Sequence, residues 1–95
     1  MTRKQERYFL ERLPKSADAL PLTPGTVVWR LQVRGAMQDM VVMIGQSNRV
    51  AFKHDQDENG KIKWATDFRD VYVDEESAMQ ECRRRVKLAR KKAAP

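Results

Sequence analysis

From Thr26 the chain runs in a two-residue rhythm. Val27, Trp29, Leu31 and Val33 alternate with Val28, Arg30, Gln32 and Arg34, the pattern of a strand with one buried and one wet face. By this reading the tryptophan phase points inward and the arginine phase outward. Gly35-Ala36 supplies a tight turn, since glycine accepts the positive φ that such turns demand. Met37 to Gly45 comes next and is apolar on both faces from Met40 to Ile44, which suits a central strand. Gln46 to Arg49 reads as a turn. Val50, Phe52 and His54 then alternate with Ala51 and Lys53, and Ile62, Trp64 and Thr66 alternate with Lys61, Lys63 and Ala65. Val71-Tyr72-Val73 completes a short fifth strand. Connections this short favour antiparallel pairing, because a parallel crossover needs a dozen residues or more.

The period lengthens at both ends. Thr2 is placed to cap a short helix over residues 1–14, Glu6 suits its first turns, and Tyr8, Phe9, Leu10 and Leu13 give it an apolar patch to dock on the sheet. Pro14 ends that helix. Pro21, Pro24 and Gly25 punctuate an irregular connector. Over residues 74–92, Asp74 is a natural N-cap, Glu75 and Glu76 fill the first turn, and Met79, Cys82, Val86 and Ala89 draw one apolar stripe.

The expected architecture is therefore α+β. A short N-terminal helix and a basic C-terminal helix pack on a meandering antiparallel sheet of four or five strands (residues 26–73), either open or curled like a small SH3 barrel. The expected core is Trp29, Leu31, Val42, Ile44, Phe52, Ile62, Trp64, Met79, Cys82 and Val86. Residues 50–54 and 61–66 are expected to pair across a hairpin at Asn59-Gly60.

Length and composition narrow the class. Ninety-five residues, 41% hydrophobic and 34% charged, form one domain, residues 1–95, with a modest core and no deep enclosed site. No apolar run approaches membrane-spanning length, no secretory leader pattern opens the chain, and the lone Cys82 fits a reducing, cytoplasmic setting. Catalysis finds little purchase. The single His54 and single Cys82 stand far apart in sequence, and Cys82 lies on the apolar stripe. Ser16, Ser47 and Ser77 sit in no nucleophile-elbow pattern. No phosphate loop and no paired metal-ligand spacing calls for a cofactor, so a non-enzymatic role is expected.

One local pattern resembles half of a calcium loop. Asp55, Asp57, Asn59 and Gly60 follow the D-x-D-x-N-G spacing, but position twelve is Thr66 rather than a bidentate glutamate. The plainer reading is a solvated hairpin tip, since Asn-Gly is a strong two-residue turn signal. Of the aromatic residues, Trp29, Phe52 and Trp64 fall on the apolar phase of their strands, as core residues rather than a stacking platform.

Charge carries the functional expectation. The chain nets +6, with the positive excess mainly at its two ends. Arg30 and Arg34 on the first strand, Lys61 and Lys63 after the acidic loop, and Arg83, Arg84, Lys87, Arg90 and Lys91 on the last helix form the candidate phosphate-binding set. Each phosphate they neutralise would release a condensed counterion. This implies a small basic nucleic-acid-binding module, DNA or RNA alike. The alternative is a protein-interaction module that binds and regulates or inhibits a larger partner. In size and layout the chain resembles small accessory proteins of phages and mobile elements, a likeness that assigns no site.

Overall fold

Thr2 and Gln5 open the first helix by capping each other. The Gln5 amide donates to Thr2 Oγ1 (3.2 Å) and the Thr2 amide donates to Gln5 Oε1 (3.0 Å), a reciprocal box that satisfies two end donors. The computed structural model describes residues 2–33 and 35–93, with the side chains of residues 6–10 and 93 outside the description. The patch expected at Tyr8, Phe9 and Leu10, and the expected site residue Arg34, therefore lie outside the described residues. Helix α1 (Arg3–Arg12) stops before Pro14 as anticipated.

Four strands follow: β1 (Val27–Gln32), β2 (Gly35–Ile44), β3 (Val50–Phe52) and β4 (Val71–Tyr72), then helix α2 (Glu75–Ala93). The sheet is antiparallel in the order β3-β2-β1-β4. Strands β1 to β3 meander, and β4 returns to the far side of β1 rather than continuing past β3. Gln32 pairs with Gly35 and Leu31 with Ala36, so Gly35-Ala36 belongs to β2 and is not the turn expected from the sequence. Val33 thereby leaves the strand and is fully exposed.

The register sorts the side chains, because directly paired residues share a face. Val28, Val41, Val50, Phe52 and Val71 lie on one face and, with Leu22 from the connector, form the buried cluster. Ala65 and Phe68 pack against it. Trp29, Leu31 and Tyr72 lie on the opposite face, where α2 packs. The phase of β1 is thus the reverse of the expected one. Val28 is the core residue, Trp29 is half-buried, and Val27 and Val33 are exposed. Of the expected core, Phe52 and Leu31 are buried; Val42, Ile44, Trp64, Met79 and Cys82 are half-buried; Ile62 and Val86 are exposed.

Segment 61–66 forms no strand. A 3-10 turn at Lys53–Asp55 ends β3 early, and one bridge, Val50 with Ala65, ties the returning chain to the edge. The tip itself turns at Asn59-Gly60, with the Gly60 amide donating to the Asp57 carbonyl (3.0 Å) and Gly60 at φ 76°. Gln56 continues the link by side chain, accepting from the Lys63 amide at 3.3 Å.

The connector is anchored by Asp18. Its carboxylate accepts from the amides of Val73 (3.1 Å) and Asp74 (2.9 Å) and from the Ser16 hydroxyl, so it fixes the entry to α2. Burial pushes its pKa up, but these hydrogen bonds outweigh that and hold it below the ordinary value.

Candidate nucleic-acid interface

Helix α2 is two helices in terms of environment. Asp74 caps it, accepting from the Ser77 amide at 3.0 Å. Its first half docks: Ala78 is fully buried and Met79, Glu81 and Cys82 are half-buried against the sheet. Arg85 clamps that half, reaching Asp70 at 2.8 Å and Glu81 at 3.0 Å. Arg84 donates to Glu81 as well, at 2.8 Å, and the two arginines hold the Glu81 carboxyl down to about 2. From Arg83 to Lys92 every residue is exposed. The outline of the molecule is correspondingly elongated, with extents of 58 × 37 × 19 Å.

These ten exposed residues carry seven cations and no acid, while the rest of the chain sets twelve cations against thirteen acids. The whole positive excess of the protein is therefore on half of one helix. At 100° per residue, Arg83, Arg84, Lys87, Arg90 and Lys91 cover one arc of about 120°, away from the stripe of Cys82, Val86 and Ala89. Arg83, Lys87, Arg90 and Lys91 make no ion pair among the described residues, so their charge is available to a ligand.

The other members of the expected set are elsewhere. Arg30 does not face outward. It shares the core face, with its guanidinium 4.5 Å from the Phe52 ring centroid, and it pairs with Asp39 at 3.1 Å and Asp55 at 2.8 Å. Two carboxylates neutralise it, which is what allows an arginine to sit inside the sheet. Lys61 and Lys63 are exposed, but on the irregular return of the acidic loop at the β3 edge, not on a strand face. Nor does the acidic loop gather its carboxylates. Asp55 is turned to Arg30, while Asp57 accepts from the Asn59 amide. Among the described residues no group of three His, Cys, Asp or Glu could hold a metal, and no helix is long and apolar enough to cross a membrane.

Sequence reasoning missed the polar centre of the sheet. The Asp39 side chain is fully buried and accepts four bonds. They come from Arg30, from the Met40 amide (2.8 Å), from the His54 amide (3.1 Å) and from His54 Nδ1 (2.8 Å). Burial drives its carboxyl up, yet the His54 ring and the other donors prevail and hold it below the usual carboxylate value. The available signal was an acid immediately before the apolar run Met40–Ile44 of β2, which needs partners if that strand is buried. His54 is bound on this face of the sheet and Cys82 lies on the other, so the two do not meet. No family model, curated protein or solved structure matches the chain.

Proposed function

We propose that the protein binds nucleic acid through phosphate contacts made by the exposed half of α2. The observation that carries this reading is the run from Arg83 to Lys92, exposed throughout, with seven cations and no acid. Helical spacing places Arg83, Lys87, Arg90 and Lys91 along one side, where a charged backbone can run past them. Such contacts are indifferent to sequence, so DNA and RNA of ordinary composition are both ligands. Arg30 is excluded from the set because its charge is spent on Asp39 and Asp55.

The test is fluorescence anisotropy with a mixed-sequence duplex and a single strand at several salt concentrations. Four phosphate contacts give a slope near −0.9 each in log affinity against log salt, so raising salt from 50 to 200 mM weakens binding roughly a hundredfold. Replacing Lys87 and Lys91 by Ala flattens the slope by about two units. No detectable binding at 50 mM salt would sink the proposal. The alternative, docking to a larger protein, has its own support: the apolar side of the same half-helix, which phosphates would leave uncovered.

A further inference from the structure

We infer that the groove between α2 and the turn end of the β1–β2 hairpin is a docking site for an acidic amphipathic helix of a partner protein. The inference does not rest on the nucleic-acid reading, because it is carried by the apolar walls of the groove, which phosphates do not cover, although Arg90 borders both surfaces. One wall is Leu31 and Val33; the other is Cys82, Val86 and Ala89, and the cavity between them is about 720 Å³. Val33 is fully exposed and Val86 is 47% exposed, so these apolar surfaces face water. Cys82, Val86 and Ala89 recur over two turns of helix, about 10 Å, the spacing at which a partner helix presents residues i, i+3 or i+4, and i+7.

Charge selects the occupant. Arg85 and Arg90 border the groove, with Arg83 and Lys87 on the adjoining surface of α2. Arg85 is satisfied by Asp70 and Glu81; Arg83, Lys87 and Arg90 carry no ion pair among the described residues. A second copy of this chain would bring its own cations to that rim and be repelled. Phosphate backbone answers the rim but cannot cover Val33 and Val86. A helix with leucines on one side and Asp or Glu flanking them answers both.

The probe is a labelled synthetic helix with Leu at i, i+3, i+4 and i+7 and Glu at flanking positions, titrated with the full-length chain. Two controls accompany it: the same peptide with Lys for Glu, and one of identical composition in scrambled order. Saturable binding of the first peptide alone is expected, with backbone amide shifts confined to residues 31–33 and 82–90. Val33→Ser with Val86→Ser should weaken it about tenfold or more. Both residues are exposed, and Val33→Ser alone, outside any strand, removes doubt about folding. Those variants should leave DNA anisotropy unchanged, whereas Lys91→Ala, on the side of α2 away from the groove, should flatten the DNA salt slope by about one unit and leave peptide binding unchanged, so the two readings fail separately. Equal binding of the scrambled peptide, amide shifts elsewhere, or insensitivity to the Val33 and Val86 substitutions would overturn the inference. So would reversible self-association of the chain through the same residues.

Discussion

Asp39→Ala tests the polar centre of the sheet most directly. The substitution removes one acceptor that four donors share, at 2.8–3.1 Å, from a side chain with no solvent exposure. Leaving a buried amide unpaired costs about 1–3 kcal/mol, and breaking a buried ion pair costs about 3–5 kcal/mol. Arg30 retains Asp55 at 2.8 Å and His54 can turn its half-exposed ring to water, so the expected loss sits at the lower end, about 3 kcal/mol. That is a large share of a small domain's stability. Urea unfolding followed by tryptophan fluorescence reads it. The conservative Asp39→Asn keeps the shape and one acceptor, and should cost less at neutral pH. The pH profile separates charge from shape. The Asp39 carboxyl is held below its unfolded value, so its contribution is complete above the unfolded pKa, about 4, and is lost as pH falls through the folded pKa. In Asp39→Asn that part of the acid slope should vanish. A loss below about 1 kcal/mol for Asp39→Ala, or an unchanged acid slope in Asp39→Asn, would refute the reasoning.

Phe52→Ala, which empties a fully buried position beside Phe68 (centroids 6.5 Å apart) and removes the ring under Arg30, should cost about 3–5 kcal/mol by the same urea assay. Gly45→Ala isolates a steric clash: Gly45 has an ordinary φ of −103°, but an added Cβ would lie 2.7 Å from Trp64 Cη2. Trp64 and the Arg49 guanidinium above it must shift, so stability should fall by about 1–3 kcal/mol with a change in tryptophan emission. Asp18→Ala strips the amides of Val73 and Asp74 of their acceptor and should cost about 1 kcal/mol, with the acid limb of the stability curve flattened in the sense worked out for Asp39.

Helix ends and the tip of the acidic loop were legible in the sequence because they depend on local chemistry, whereas the turn expected at Gly35-Ala36 was not found there. Thr2, Pro14, Asp74 and the Asn59-Gly60 tip all act as their residue types imply. The phase of β1 was not. Val27 and Val28 are interchangeable in a periodicity argument, and the strand's other markers, Trp29 and Arg30, mislead together. Arginine on the core face requires counter-charges from Asp39 and Asp55, nine and 25 residues away, and pairing at that range leaves no local mark. The segment 61–66 alternates like a strand, yet the early turn at Lys53–Asp55 leaves β3 only three residues to offer it. On the candidate site, the α2 cations were visible in the sequence, but that Arg83, Lys87, Arg90 and Lys91 stand clear of the acids of the same helix was not. Glu75, Glu76 and Glu81 belong to the docked half of the helix and dilute the charge of the exposed half.

That separation bears on what the exposed half is for. Arg83 and Lys87, then Lys87 and Lys91, are like charges four residues apart, and each such pair destabilises a helix by about 0.2–0.5 kcal/mol. Good intrinsic helix formers, the favourable C-terminal dipole and the Arg85–Asp70 pair offset part of this, but Arg83, Lys87 and Lys91 themselves are exposed. A surface shaped only by solubility intersperses both signs of charge. This chain does so elsewhere, where acids and cations nearly cancel, and within α2 it uses Glu81 to quiet Arg84 and Arg85. From Cys82 onward no acid is interposed. Repulsion left uncompensated along one arc would be relieved by a polyanion that covered it. Under the proposed function, a helix that is marginal alone would gain stability from a polyanionic ligand, so added duplex DNA should raise its helicity by circular dichroism, and an unchanged spectrum would count against that function.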